Sequence, residues 1–186
     1  MEANDIEDKE LYRRYLNGQK EAFEEIVMKY KDNLIYFISK YTNNIYVAED
    51  ISQDVFVYIL LNKDKYDFKY SLKTYLYMIA KCRAINYLKK ESRIIRIDNQ
   101  ERLYKDTKNL EDEILDKVID NKIKDNIKKL KPNYQTVLEL NLIEGFKYKE
   151  IAIIMNKNIG EIKILLHRAK KKLKKLLEEE GIRYEE

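Results

Sequence analysis

Residues 69–96, KYSLKTYLYMIAKCRAINYLKKESRIIR, hold the pattern around which the rest of the chain is organised. Apolar residues recur there at helical spacing on more than one side, without Gly or Pro, which predicts a long helix packed in a small bundle. Eight basic residues accompany a single acid, Glu91, and four tyrosines are interleaved with them. Cations bind phosphate and rings stack on unpaired bases, so the pattern fits a nucleic acid whose bases have left the duplex. It fits equally a basic amphipathic helix whose tyrosines are core residues.

The same helical spacing continues through most of the chain, which has only four Gly and one Pro in 186 residues. We therefore predict an all-α fold. The periodicity fades at about residues 97–109, a polar stretch typical of a linker. The sequence accordingly predicts two small helical domains, residues 1–95 and 113–186, joined by a flexible polar linker at 96–112.

The last third of the chain has the spacing of a helix-turn-helix. A short helix is predicted at Lys147–Met155, then a turn at Asn156-Lys157-Asn158, then a longer helix that Asn158 caps with Glu161 reaching back. The second helix of this motif enters the major groove, and its cations meet phosphate. A plain helical hairpin is the alternative. In the second helix, the residues predicted to face the core of the domain are Ile159, Ile162, Leu166, Ala169, Leu173 and Leu176.

The third predicted helix, Val47–Leu61, carries acidic and amide side chains away from its apolar stripe. Asp50, Gln53 and Asp54 form the centre of this polar face. It is either a solvated surface or a docking face for a basic or amide-rich partner helix.

Charge is distributed unevenly along the chain. The formal net charge is only +4 although 38% of the residues are charged, and Lys163–Lys175 contains no acid. This run favours a nucleic-acid partner, with a solvated helix face as the alternative.

The number of cysteines and the N-terminal stretch indicate where the protein is located and which kinds of site it can form. The single cysteine, Cys82, excludes an internal disulfide or a zinc cluster, and it is expected to be a small core residue, with redox sensing as the alternative. The acidic N-terminal stretch is unlike a signal peptide, and the apolar runs are too short to cross a bilayer. A cytoplasmic protein without membrane insertion, metal or cofactor is expected. Paired carboxylates, a nucleophile with its base and a P-loop are all missing from the sequence, so no enzyme is predicted.

Four stretches of sequence together resemble the extracytoplasmic-function sigma factors, the small two-domain members of the sigma-70 family of bacterial RNA polymerase. FEEIVMKYKDNLIYFISKYTNN at residues 23–44 is similar to the first conserved helix of the family, and AEDISQDVFVYILL at 48–61 to its AED-x-x-Q core-binding signature. SLKTYLYMIAKCRAINYLKK at 71–90 resembles the promoter-melting helix. Residues 130–177 resemble the C-terminal domain, with Y-x-E-I-A and H-R-A motifs in order.

The resemblance implies an alternative sigma factor that binds core RNA polymerase through the β′ coiled-coil and the β flap, directs initiation at promoter DNA, and is held by an anti-sigma factor. The residues implied to contact core polymerase are Asp50, Gln53, Asp54 and Val57. Those implied to contact the minus-ten element are Phe68, Tyr70, Lys73, Tyr75, Tyr77, Lys81, Arg83, Asn86, Lys89, Lys90 and Arg93. Those implied to contact the minus-thirty-five element are Lys147, Asn158, Glu161, Lys163, Ile164, His167, Arg168 and Lys171.

The sequence departs from the family pattern at several of these positions. Tyr75 stands where a Trp is usual, and Cys82 where Asn is common. Ile164-Leu165 replaces a usual Ser-Arg pair in the recognition helix. Those two side chains either contact thymine methyl groups, or pack against an inhibitor, or show that the core of this helix is rotated.

Two other functions are compatible with the sequence. A free-standing helix-turn-helix regulator would use the C-terminal domain but leave the face at residues 50–54 and the basic, aromatic helix without a role. An interaction protein that binds polymerase with weakened promoter recognition is favoured by Cys82 and Ile164-Leu165.

Overall fold

The computed structural model describes residues 3–95 and 123–180, with side chains for 5–92 and 123–180. All regular secondary structure in these ranges is helical, which confirms the predicted fold class. The chain divides into two compact units, Met1–Lys108 and Asn109–Glu186. The predicted linker at 96–112 lies outside the described residues, so its boundaries stay a prediction.

The first unit is built around its second helix. Its elements are α1 (Ala3–Leu16), α2 (Lys20–Thr42), α3 (Ile45–Leu61), a 3-10 turn (Lys63–Lys65) and α4 (Leu72–Ile95). Helix α2 packs against α1, α3 and α4. Its apolar side chains recur every three or four residues, and Ile26, Leu34 and Ile38 are fully buried. This stripe supplies the centre of the core.

Two asparagines make the junction between α2 and α3. Asn43 ends α2 in the left-handed region at φ 48°, a conformation that Asn tolerates better than most residues. The side chain of Asn44 then accepts hydrogen bonds from the backbone N–H groups of Tyr46 at 3.0 Å and Val47 at 3.3 Å. This cap satisfies two of the free donors at the start of α3. The short polar residues Thr42-Asn43-Asn44 predict a break in the helical pattern of the sequence, and the structure has the junction there.

Buried polar contacts attach α1 to the rest of the first unit. Asp8, which is 2% exposed, accepts a hydrogen bond from the Tyr30 hydroxyl and pairs with Lys29 Nζ at 2.7 Å. Burial and this hydrogen bond raise the pKa of Tyr30 above its usual range. Tyr12, fully buried, donates its hydroxyl to the Lys63 carbonyl at 2.8 Å. A buried carboxylate is tolerated here because charged and neutral donors compensate for its lost hydration.

The second unit has four helical segments within its described residues. They are α5 (residues 123–128), α6 (Pro132–Leu138), α7 (Tyr148–Met155) and α8 (Ile159–Glu179). The sequence predicts one helix from Pro132 through Leu142. In the structure α6 changes at Glu139 into a π turn that runs to Ile143. Gly145 follows at φ 71°, in the left-handed region that favours glycine.

The predicted core stripe of α8 is correct for Ile162, Leu166, Ala169 and Leu173, all of which are buried. It is wrong at both ends. Ile159, the first residue of α8, is 40% exposed. Leu177 is buried and Leu176 only half-buried, since Leu177 follows Leu173 by four residues and stays on the same face.

Candidate nucleic-acid and polymerase-binding surfaces

A group of rings positions the loop between the 3-10 turn and α4. We define the aromatic cluster as Tyr12, Tyr66, Phe68 and Tyr75. Tyr66 stacks on Tyr75 at 5.1 Å between ring centroids and contacts Phe68 at 4.6 Å and Tyr12 at 4.8 Å. Phe68 adopts φ 59°, an unusual backbone conformation for a bulky residue. Packing in the aromatic cluster holds the loop in that conformation.

Hydrogen bonds fix the same loop to the start of α4. The Tyr66 hydroxyl donates to the Tyr70 carbonyl at 2.7 Å. The Ser71 hydroxyl accepts from the Thr74 backbone N–H at 3.1 Å and so caps α4. Tyr70, between these contacts, keeps 39% of its surface exposed. The loop therefore presents one tyrosine ring to solvent on a fixed backbone.

The predicted minus-ten residues differ in exposure. Tyr70, Asn86, Lys89 and Lys90 are exposed. The side chain of Arg93 lies outside the described residues. The half-buried members are Phe68, Lys73, Tyr75, Lys81 and Arg83.

Tyr77 alone is fully buried among the predicted minus-ten residues whose side chains the structure describes, and this corrects the sequence prediction. It is fully buried, and its ring lies 4.9 Å from that of Phe37 on α2. It precedes Ala80 and Ala84, both buried, by one and two helical turns, so it belongs to the inner face of α4. Tyr77 therefore stabilises the first unit and presents no surface to DNA.

Cys82 is a second correction on α4. The sequence predicts a small core residue, but Cys82 is exposed. Asn86, one turn later, directs its side-chain amide nitrogen at the sulfur over 3.8 Å. The core at this level is filled instead by Ala80 and Ala84, so the thiol lies on the outer side of the helix.

Helix α3 presents a continuous exposed surface in which acidic and apolar side chains are mixed. Asp50, Gln53 and Asp54 are exposed, and Val57 is 49% exposed. The surface continues through Leu60 and Leu61, which are 51% and 76% exposed. We define the α3 face as Asp50, Gln53, Asp54, Val57, Leu60 and Leu61. The sequence prediction missed the last two residues, although their spacing of three and four from Val57 places them on the same side.

Arg83 connects the α3 face to the basic side of α4. Its Nη1 atom lies 3.5 Å from Asp54 Oδ2, and its guanidinium carbon lies 5.3 Å from the centre of the Tyr58 ring. Lys65 Nζ is 5.5 Å from the same ring. Two cations thus flank Tyr58, and one of them is also paired with an acid of the α3 face.

The helix-turn-helix of the second unit has the predicted turn and cap. Asn156 ends α7 at φ 52°. The Asn158 side-chain oxygen accepts from the Glu161 N–H at 2.8 Å, and Glu161 Oε2 accepts from the Asn158 N–H at 2.9 Å. This reciprocal pair is a capping box. The Asn158 hydrogen bond lowers the pKa of Glu161 below its usual value.

Every predicted minus-thirty-five residue is exposed. Asn158 and Glu161 already use side-chain oxygens in the cap, so their first role is to fix the start of α8. The remaining six are Lys147, which precedes α7, and five residues that follow one side of α8: Lys163, Ile164, His167, Arg168 and Lys171.

Replacing Asn158 with Ala is expected to lower the free energy of unfolding of the second unit by about 1 kcal/mol, because one donor at the start of α8 loses its acceptor. Urea denaturation of the full chain, followed by circular dichroism, measures this. The stability that Glu161 contributes by accepting from the backbone N–H of residue 158 is expected to be present above its unfolded-state pKa and to be lost as pH falls through its lowered folded-state pKa. Because Asn158→Ala retains that N–H, the wild type and the variant should share this pH dependence. An unchanged transition at neutral pH would contradict the assignment of the cap.

In the described parts of the chain, no helix combines the length and apolar composition that crossing a bilayer requires. Nor do any three His, Cys, Asp or Glu side chains within residues 5–92 and 123–180 gather in a way that could hold a metal ion.

Comparison with known proteins identifies both units. The family model for sigma-70 region 2 matches residues 26–94, and that for sigma-70 region 4 matches residues 121–173. The ECF RNA polymerase sigma factor SigW of Bacillus subtilis is 28% identical over 179 residues, covering 91% of this chain and 96% of SigW.

Two solved structures have the same fold. The sigma factor RpoE of Bartonella quintana, in complex with the anti-sigma factor NepR, aligns with a TM-score of 0.70 at 22% identity over 84% of this chain and 96% of that chain. CnrH, in complex with the cytosolic domain of CnrY, aligns with a TM-score of 0.65 at 18% identity over 92% and 97% of the two chains. With the two region matches in chain order over more than half of the sequence, the chain belongs to the sigma-70 family, as an alternative sigma factor of the extracytoplasmic-function group that directs promoter-specific transcription.

Proposed function

We propose that this sigma factor uses three separate surfaces during initiation. The α3 face binds core RNA polymerase, the aromatic loop and basic side of α4 bind the melted minus-ten strand, and α8 binds the duplex minus-thirty-five element. The observation that carries the proposal is the α3 face, because a free-standing DNA-binding protein has no use for it. Its six members are exposed, and each lies three or four residues from another member on the same side of the helix.

The chemistry of the α3 face suits a basic helical partner. Asp50 and Asp54 attract and orient cationic side chains, and the Gln53 amide can donate and accept hydrogen bonds. Val57, Leu60 and Leu61 supply an apolar area to be removed from water on binding. The coiled-coil of the polymerase β′ subunit is the proposed partner for this surface, and the β flap is the proposed partner of the second unit.

The loop before α4 suits an unpaired base. Tyr70 is exposed on a backbone that the aromatic cluster and the Tyr66 hydrogen bond hold in place. A ring fixed in advance costs little conformational entropy when a base stacks on it. Lys89 and Lys90 lie exposed farther along α4, where they can bind the phosphates of the same strand.

The second unit suits double-stranded DNA. The capping box fixes the first turn of α8, and Lys163, Arg168 and Lys171 project from the exposed side. Such a helix can lie in the major groove while its cations bind backbone phosphates.

In the proposed function, this sigma factor performs no catalysis and needs no cofactor. Its work is binding, and polymerase carries out the chemistry in the cytoplasm. Two structural relatives are complexed with NepR and with CnrY, and we propose an anti-sigma factor here that competes for the α3 face.

Run-off transcription with core polymerase, with and without this chain, on genomic fragments of the host tests the proposal. New transcripts with defined start sites that depend on the chain are the expected result. Binding to polymerase without new transcripts would instead support an interaction protein with weakened promoter recognition, and a chain that binds DNA but not polymerase would support a free-standing regulator.

Replacing Asp54 with Asn is expected to raise the affinity of the isolated chain for single-stranded minus-ten DNA by up to about fivefold. Arg83 then loses the acid 3.5 Å away and is free to bind phosphate, and an exposed ion pair contributes at most about 1 kcal/mol. Fluorescence anisotropy with a labelled oligonucleotide measures the effect. Glu49→Gln, an equal change of charge at another exposed residue of α3, is the control, and an equal gain from both variants would show only a general charge effect.

A further inference from the structure

We propose that Ile164 recognises the 5-methyl group of a thymine in the major groove of the upstream promoter element. This inference rests on the proposed function and deepens it, because it names the residue and the base atom that set specificity. It concerns an exposed, branched aliphatic side chain on a helix side that is otherwise lined by charged and polar residues.

The structure shows which of the two unusual apolar residues reaches outward. Ile164 is 56% exposed, whereas Leu166 is 2% exposed and belongs to the core. Leu165, between them, is half-buried. The core of α8 therefore keeps its expected register through Ile162, Leu166 and Ala169, and rotation of the helix does not explain the substitution. Ile164 is the more exposed of the pair.

The surroundings of Ile164 are those of a DNA-binding surface. Lys163, His167 and Arg168 are exposed beside it, so the apolar side chain is enclosed by groups that bind or tolerate phosphate. Charge complementarity therefore favours duplex DNA as the occupant of this face over an apolar protein surface.

The position of Ile164 along α8 places it in the groove. It is in the second turn of the capped helix, the half of a recognition helix that meets base edges. Gly160 lies one turn earlier on the same side and has no side chain. A Cβ atom there would come within 3.2 Å of the Asn158 capping oxygen. The absence of a side chain at residue 160 leaves space beside Ile164 for a base pair to approach.

Thymine is the base that matches this side chain. In the major groove it presents a methyl group, whereas the other edges present hydrogen-bond donors and acceptors that an isoleucine cannot satisfy. Burying one methyl-sized group against Ile164 corresponds to about a fourfold gain in affinity, or about 0.8 kcal/mol. The inference thus predicts an A·T pair at one or two defined positions, recognised by contact with the methyl group.

Deoxyuridine tests this contact because it differs from thymidine only by the missing methyl group. The preferred upstream element is first selected from a randomised promoter library with polymerase and the full-length chain. Each thymine of the selected element is then replaced singly by uracil, and promoter binding is measured by competition. We expect about a fourfold loss at one or two positions with the wild-type chain, and the same affinity for uracil and thymine with Ile164→Ser.

Matched variants keep the test specific. Ile164→Val retains a branched apolar side chain and is expected to keep the sensitivity to uracil. His167→Ser, an exposed change on the same side of α8, is expected to weaken binding without removing that sensitivity. Circular dichroism of each variant shows that the helices are intact.

The outcomes separate this inference from the proposed function. A selected element at which uracil and thymine bind equally well overturns the inference alone, as does a sensitivity that persists in Ile164→Ser. If the library yields no polymerase-dependent element and run-off transcription gives no product, the proposed function is overturned and this inference with it.

Discussion

Replacing Tyr77 with Ala is expected to destabilise the first unit by about 3–5 kcal/mol, the usual result of removing a fully buried aromatic ring. Tyr77 has no exposed surface, and its ring packs 4.9 Å from that of Phe37. Replacing Tyr70 with Ala is expected to cost much less, about 1 kcal/mol or less, because 39% of the surface of that residue is exposed. The two tyrosines are seven residues apart, and we expect opposite roles for them.

The two positions are expected to reverse in order of importance when DNA binding is measured. Tyr70→Ala should weaken binding of the melted minus-ten strand by about 5- to 100-fold, since stacking of one base on a ring contributes about 1–3 kcal/mol. Tyr77→Phe, which keeps the ring in the core, should bind this strand as the wild type does. Urea denaturation and anisotropy with a single-stranded oligonucleotide measure the two effects. A stable Tyr77→Ala chain that no longer binds DNA would show that Tyr77 faces the strand after all.

The sequence predicts DNA contacts for both Tyr70 and Tyr77, although only Tyr70 is exposed. The direction in which each tyrosine side chain points is therefore not determined by the sequence pattern. Alternation of rings and cations along residues 69–96 indicates both a buried and an exposed side, but α4 has apolar residues around most of its circumference. Periodicity alone therefore does not say which tyrosine points inward. Tyr77 points inward because its ring packs against Phe37, and that contact joins residues forty positions apart in the chain.

Local signals were predicted more accurately than packing. The cap at Asn158 and Glu161 and the break at Asn43-Asn44 depend on hydrogen bonds within a few residues, so the sequence contains all that determines them. The π turn at Glu139–Ile143 and the outward position of Cys82 depend on how neighbouring helices fill space. No signal in the sequence distinguishes them from a regular helix and a core residue.

Part of the α3 face could be predicted from the sequence, and part of it could not. Its acidic and amide residues stand out in the sequence, whereas Leu60 and Leu61 look like the end of a core stripe. The structure leaves them 51% and 76% exposed, because α3 ends there and Ile59 is the last of its buried residues. An apolar extension of an acidic surface is typical of a protein interface with a hydrophobic centre and a polar rim.

Replacing Val57 with Arg is expected to weaken binding of core polymerase by at least about 30-fold, or about 2 kcal/mol, the cost of disrupting a central interface residue. Val57 lies between Asp54 and Leu61 on the α3 face and is 49% exposed. An arginine there places a cation and a longer side chain against a partner that we propose to be basic, so repulsion adds to the lost apolar contact. The stability of the chain should change little, because Val57 contributes little to the core.

Met28→Arg provides the matched control for this prediction. Met28 is 80% exposed on α2, so the substitution adds the same charge at a surface residue on another helix. Titration of labelled core polymerase with each variant should separate them, with Met28→Arg binding as the wild type does. Leu61→Arg should behave like Val57→Arg if the apolar extension belongs to the interface. If Val57→Arg and Leu61→Arg both bind polymerase normally, α3 is a solvated surface and polymerase must be bound elsewhere on the chain. If only Leu61→Arg binds normally, the interface ends before the last turn of α3, and the acidic residues together with Val57 account for it.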